Sequence, residues 1–157
     1  MTRRLWKDVR EGERLPALEV AMPFRRVILN TAVTWDYFPG HHDPDYARGQ
    51  GISSIYANTI LLQGLMDRFV TGWSGPDAFI VRRRLTMKRP IVAGDTVTAR
   101  GTVTGVRRSS DVGLVEIESA LGDPDDERCA ARHTLWLPDG AERYLDVADR
   151  IGALHGT

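Results

Sequence analysis

Between positions 35 and 48 the chain gathers Asp36, His41, His42, Asp43 and Asp45 among aromatic residues and turn formers, just ahead of a long apolar stretch. Asp36 and His41 are separated by Pro39-Gly40. Proline fixes φ and glycine tolerates conformations closed to other residues, so a bend there lets the carboxylate and the imidazole converge on one pocket. Such a pair is suited to moving protons, with the imidazole the better-matched base near neutral pH.

The neighbouring polar residues read differently. In an extended segment His42 points away from His41 and is expected to be exposed or structural. Asp43-Pro44 is a helix start, with Asp43 as N-cap and Pro44 at the first helical position. His41, His42, Asp43 and Asp45 offer donors that suit zinc or iron, but adjacent residues do not share a face, and no metal is expected.

The elements around this segment follow from periodicity. Residues 24–34 are rich in β-favouring side chains (Val27, Ile28, Leu29, Thr31, Val33, Thr34), which predicts a strand delivering the chain to Asp36. After it, Ile55, Thr59, Leu62, Met66, Phe69 and Trp73 recur at spacings of four and three, the mark of one helical face. Ser53 or Ser54 is expected to cap this helix, Gly72 to end it, and Ser74-Gly75-Pro76 to make the turn. Leu61, Leu65 and Val70 widen the apolar face, so the helix should be largely buried.

Beyond the turn the pattern alternates. Phe79, Val81, Leu85 and Met87 fall on one side and Arg82, Arg84, Thr86 and Lys88 on the other, interrupted only by Arg83. Further strands are predicted over about 96–106, 114–121 and 128–137, joined by short connections that favour an antiparallel meander. On its strand His133 falls with Cys129, Ala131, Leu135 and Leu137 on the apolar side, and reads as a core or interface histidine. One long apolar helix ahead of such a meander is buried when the sheet curls around it, an α+β arrangement known as the hot-dog fold. The alternative is a generic α+β sandwich. Exposed edges in so small a sheet favour pairing with another chain.

The 157 residues, 42% of them hydrophobic, fit one domain, with its core over about 23–138 and a lead-in segment and a C-terminal tail outside it. Gly12, Pro16 and Pro23 punctuate the lead-in ahead of the first expected strand. Residues 139–157 read as a surface tail or short helix. With 21 basic and 21 acidic residues, the net charge of zero gives no general attraction to nucleic acid or an anionic membrane. Cys129 is the single cysteine, which excludes an internal disulfide and fits the cytoplasm. Neither a signal peptide nor a bilayer-spanning segment is expected.

The run Asp36-Tyr37-Phe38-Pro39-Gly40-His41-His42-Asp43, then Ala57-Asn58, Gly64-Leu65, Trp73-Ser74-Gly75-Pro76 and Pro90-Ile91-Val92-Ala93-Gly94-Asp95, resembles the MaoC-like dehydratases and (R)-specific enoyl-CoA hydratases. Within that family the chain is most similar to the small subunits of actinobacterial hydratases acting on steroid side-chain CoA thioesters. The resemblance covers roughly residues 23–138. Asp36, Pro39 and His41 fill the first, fourth and sixth places of the family motif. Trp35, Phe38 and Gly40 stand where the family usually has Gly, Asn and an aliphatic residue, and Asn58 where it often has Gly.

The resemblance implies the hot-dog fold and hydration of a 2-enoyl-CoA, or dehydration of the (3R)-hydroxyacyl-CoA, with Asp36 and His41 as the catalytic pair. It implies an oxyanion and substrate site near Asn58 and Thr59 at the helix start, with Trp35 and Phe38 shaping the pocket. It implies no cofactor beyond the CoA of the substrate, whose phosphates Arg84, Lys88 and Arg89 are candidates to bind, a carrier-protein thioester being the other form of substrate. A homodimer, or a heteromer with a second hot-dog protein, is the implied assembly. The alternatives are a non-catalytic partner subunit and a hot-dog thioesterase.

Overall fold

The computed structural model describes residues 3–109 and 111–153. In chain order the elements are β1 (Leu18–Ala21), α1 (Phe24–Thr34), α2 (Pro44–Gly49), α3 (Thr59–Ser74), β2 (Phe79–Met87), β3 (Thr96–Ser109), β4 (Val112–Asp123), β5 (Asp126–Trp136) and α4 (Tyr144–Ala153). The strands form one antiparallel sheet in the order β1-β3-β4-β5-β2, so β1 and β2 are its edges.

The sheet covers α3, as the apolar face of that helix requires. Leu62, Leu65, Met66, Phe69, Val70 and Trp73 of α3 are buried with Val97, Val103, Val115, Ile117, Ala131 and Leu135 from the inner sheet face. Close approach depends on Gly101 of β3, where an added Cβ would lie 2.9 Å from the Phe69 ring. The lead-in also enters this core, through Val9, Leu15, Val20 and Met22. It contains β1, a short edge strand paired to β3 that the turn residues around it do not announce.

Two expectations are corrected. Residues 24–34 form helix α1, not a strand. Val27 and Thr31, four apart, are buried together, and the hydroxyls of Thr31 and Thr34 donate back to the carbonyls of Val27 (3.1 Å) and Asn30 (2.7 Å). The packing of that face outweighs the weak β preference of branched residues. Helix α3 starts at Thr59, capped by Asn58 rather than by Ser53 or Ser54, and runs past Gly72 to Ser74. Ile55 is buried, but in the segment before the helix.

The expectation that Phe79, Val81, Leu85 and Met87 share one face of β2 is corrected as well, and the same feature accounts for the interrupting Arg83. A bulge at Val81, between the pairs Ile80–Leu135 and Arg82–Thr134, shifts the strand's phase. Phe79 and Val81 consequently face α4, where Phe79 stacks on Tyr144 and Val81 packs with Val112, Leu114, Trp136, Val147 and Ile151. Ile80 and Leu85 face α3 instead, and Arg83 on that side pairs with Asp67 of the helix. Helix α4 covers one end of the outer sheet face. No helix among the described residues is long and apolar enough to cross a membrane.

Candidate active site

Asp36 and His41 meet because α1 ends abruptly. Trp35 takes a left-handed conformation (φ 56°, ψ 24°), which turns the chain out of the helix just before Asp36. A 3-10 turn over Pro39–His41 then brings the imidazole back, with Nε2 of His41 3.6 Å from Oδ2 of Asp36. The His41 side chain is one-tenth exposed and that of Asp36 one-third. Gly40 is required for space: an added Cβ would lie 2.4 Å from the Tyr56 hydroxyl oxygen and 2.8 Å from the Phe38 ring.

The other imidazole nitrogen fixes the tautomer. Nδ1 of His41 lies 2.8 Å from the Tyr56 carbonyl oxygen, an acceptor only, so Nδ1 carries the proton and donates it there. In the neutral imidazole Nε2 is then the lone-pair nitrogen, and it faces a carboxylate. In that neutral form neither group donates to the other, so a proton donor such as water is needed to bond to both. The ring is further held edge-on between Phe38 and Tyr56, at centroid distances of 5.4 and 5.1 Å. The Thr31 hydroxyl of α1 reaches the His41 carbonyl oxygen at 3.2 Å.

Beside the pair begins α3. Asn58, 2% exposed, caps it by accepting from the Leu61 amide at 2.9 Å, which leaves the Thr59 and Ile60 amides as first-turn donors without an intrahelical acceptor. Asn58 is itself held from α1, accepting from Nδ2 of Asn30 at 2.6 Å and donating to Oγ1 of Thr34 at 3.0 Å. A cavity of about 350 Å³ opens between these parts, walled by Phe38, His41, Tyr56, Thr59, Leu62 and Met87, with Asn58, Lys88 and Arg89 also on its lining.

Of the residues singled out from the sequence, His41, Phe38, Asn58, Thr59, Lys88 and Arg89 therefore line one cavity, with Asp36 against His41. Trp35 is outside that lining and 81% exposed, and Arg84 lies on the outer sheet face with Arg132 opposite it. Lys88 and Arg89 are paired with Glu127 and Asp126, both at 2.6 Å. Asp43 caps α2, accepting from the amides of Asp45 and Tyr46, and His42 is exposed. Buried His133 lies 3.1 Å from Asp67, and burial lowers its pKa from the ordinary value although Asp67 opposes the shift. Asn30, Thr31, Thr34 and Tyr56 are added by the structure. Asn30 and Thr31 lie four and three residues before Thr34, spacings of a helix face that reading 24–34 as a strand hides; Tyr56 has no such signal.

A five-stranded antiparallel sheet curled around one buried helix, with an Asp/His pair at the helix start, defines a hot-dog protein with a site equipped for acid–base chemistry. No family model matches the chain. It is, however, 36% identical over 112 residues to the 3-oxo-4,17-pregnadiene-20-carboxyl-CoA hydratase beta subunit of Mycobacterium tuberculosis, spanning 71% of this chain and 87% of that one. It is 31% identical over 102 residues to the (R)-specific enoyl-CoA hydratase of Rhodospirillum rubrum, spanning 64% of this chain and 70% of the relative. Among solved structures, the ChsH1-ChsH2 complex from Mycobacterium tuberculosis matches with a TM-score of 0.75 at 31% identity, over 81% of this chain and 97% of that one. The (R)-hydratase from A. caviae shares the fold, with a TM-score of 0.76 at 21% identity over 84% and 99% of the two chains. The chain belongs to the MaoC-like, (R)-specific enoyl-CoA hydratase family.

Proposed function

We propose that this protein adds water to a 2-enoyl-CoA thioester, or removes it from the (3R)-hydroxyacyl-CoA, using Asp36 and His41. The observation that carries the reading is the setting of the His41 ring, with Nδ1 2.8 Å from the Tyr56 carbonyl oxygen and Nε2 turned to Asp36. A water donating to both acceptors is aligned to lose one proton to Nε2 as its oxygen bonds to the β-carbon. The α-carbon takes up a proton on the same face by way of the pair, so the net change is syn addition of one water. Charge built up on the thioester oxygen is met by the first-turn amides of α3 at Thr59 and Ile60. The reaction runs in whichever direction the supply of substrate dictates, and no cofactor enters it. The single, buried cysteine supports a cytoplasmic location.

The test is turnover of crotonyl-CoA, followed as loss of the enoyl absorbance. Asp36→Asn and His41→Ala each lower kcat by about 10²–10⁴-fold, the range for a positioned acid or base; variants that keep full turnover refute the assignment. Free CoA appearing in place of hydroxyacyl-CoA identifies a thioesterase instead.

A second reading, that this chain completes the site of a different hot-dog protein, is favoured by its relatives, one a beta subunit and one found in a two-protein complex. Robust turnover by the purified chain alone, as a homo-oligomer, counts against it. The name of the first relative also supports a steroid side-chain acyl group, which a panel of enoyl-CoAs from short to steroidal resolves.

A further inference from the structure

On the sheet face opposite α3, at the end that α4 leaves bare, lies a groove of about 610 Å³. Strand register builds it from two rows. One carries Thr102, Glu118, Arg132 and Arg84 across β3, β4, β5 and β2; the next carries Arg100, Ala120, Ala130 and Thr86. Two alanines thus form a flat apolar floor between guanidinium groups. With Lys88 the lining has four cations against two carboxylates, Glu118 and Glu127.

The cations are available to an anion to different degrees. Among the described residues Arg84 has no salt-bridge partner. Arg132 pairs with Glu118 at 2.9 Å, but both side chains are more than half exposed, and such pairs are weak. Arg100 is aimed by one nitrogen, donating to the Gly122 carbonyl at 2.8 Å, and keeps its other donors. Lys88 pairs with Glu127 at 2.6 Å and also lines the cavity that holds His41, so the groove and the reaction cavity meet at this side chain.

We propose that this outer groove is a nucleotide site, taking the 3′-phosphorylated ADP portion of the CoA thioester while the acyl end lies beside His41. The inference rests on the enoyl-CoA reading above. Its chemistry is forked guanidinium contacts to phosphates, a purine plane on the alanine floor, and an arginine stacked on that plane. Glu118 and Glu127 on the rim suit the groove to one compact anion rather than a nucleic-acid backbone.

Calorimetric titration with adenosine 3′,5′-bisphosphate tests the groove without any turnover. Wild-type protein is expected to bind it, the Arg84→Ala/Arg132→Ala variant to bind about tenfold or more weakly, and Glu118→Gln, which removes a competing carboxylate, to bind more tightly. In parallel, the KM advantage of crotonyl-CoA over crotonyl-pantetheine is expected to collapse in the double-arginine variant, with its thermal melt checked against wild type. No binding of the bisphosphate by wild type, or equal binding by the folded double variant, overturns the proposal. Failure to hydrate any thioester overturns the enzymatic reading and leaves the titration to decide the groove.

Discussion

The side-chain amide of Asn30 donates to Oδ1 of Asn58 across 2.6 Å, joining the helix that delivers Asp36 to the helix that offers free amides. Asn58 uses that same oxygen to cap α3 and its nitrogen to hold Thr34, so three contacts converge on one side chain that is 2% exposed. Asn58→Ala removes the cap and leaves the half-buried amide of Asn30 without its acceptor. A loss of about 2 kcal/mol in urea denaturation is expected, together with a fall in kcat larger than any change in KM.

Gly40 predicts a second effect. A methyl group there collides with the Tyr56 ring and Phe38. Gly40→Ala is expected to cost about 1–3 kcal/mol of stability. It should also lower turnover, because the backbone carbonyl of Tyr56 accepts the hydrogen bond that orients the His41 ring. Tyr56→Ala removes the closer of the two collisions, so Gly40→Ala is expected to lower the melting temperature less in a Tyr56→Ala background than in wild type.

Trp35 pays for its left-handed conformation, which costs an L-residue about 1–2 kcal/mol, whereas glycine adopts it freely but loses more chain entropy on folding. Trp35→Gly is therefore expected to stabilise the protein by about 0.5–1 kcal/mol in chemical denaturation. An unchanged or lowered stability shows that contacts of the indole outweigh the backbone strain.

His133 sets a pH dependence. Its folded pKa is lowered from 6.5, chiefly by burial, with Asp67 opposing and Arg83 assisting the shift. The unfolded chain therefore binds a proton below about pH 6.5 that the folded chain refuses, so this contribution to stability is complete above that pH and is lost as pH falls. Denaturation between pH 5 and 7.5 should show the decline, and NMR titration of the imidazole should give a midpoint below 6.5.

Local patterns settle much of this protein. Buried residues at spacings of three and four define α3, alternation and turn residues define β3 to β5, and Asp43-Pro44 announces α2, because each depends on side chains near in sequence. Asp36, Pro39 and His41 likewise carry their resemblance in their spacing alone. Tertiary structure decided the rest. Residues 24–34 became a helix because Val27 and Thr31 are buried on one side while Asn30 and Thr34 grip Asn58, a partner 28 residues from Asn30 that local propensity cannot sense. The bulge at Val81 gave Arg83 to Asp67 and Arg84 to the outer groove, since strand phase is set by pairing with β5. The His41 ring depends in the same way on the carbonyl of Tyr56: the sequence supplies the imidazole, and only the folded chain gives Nδ1 its acceptor and turns Nε2 to Asp36.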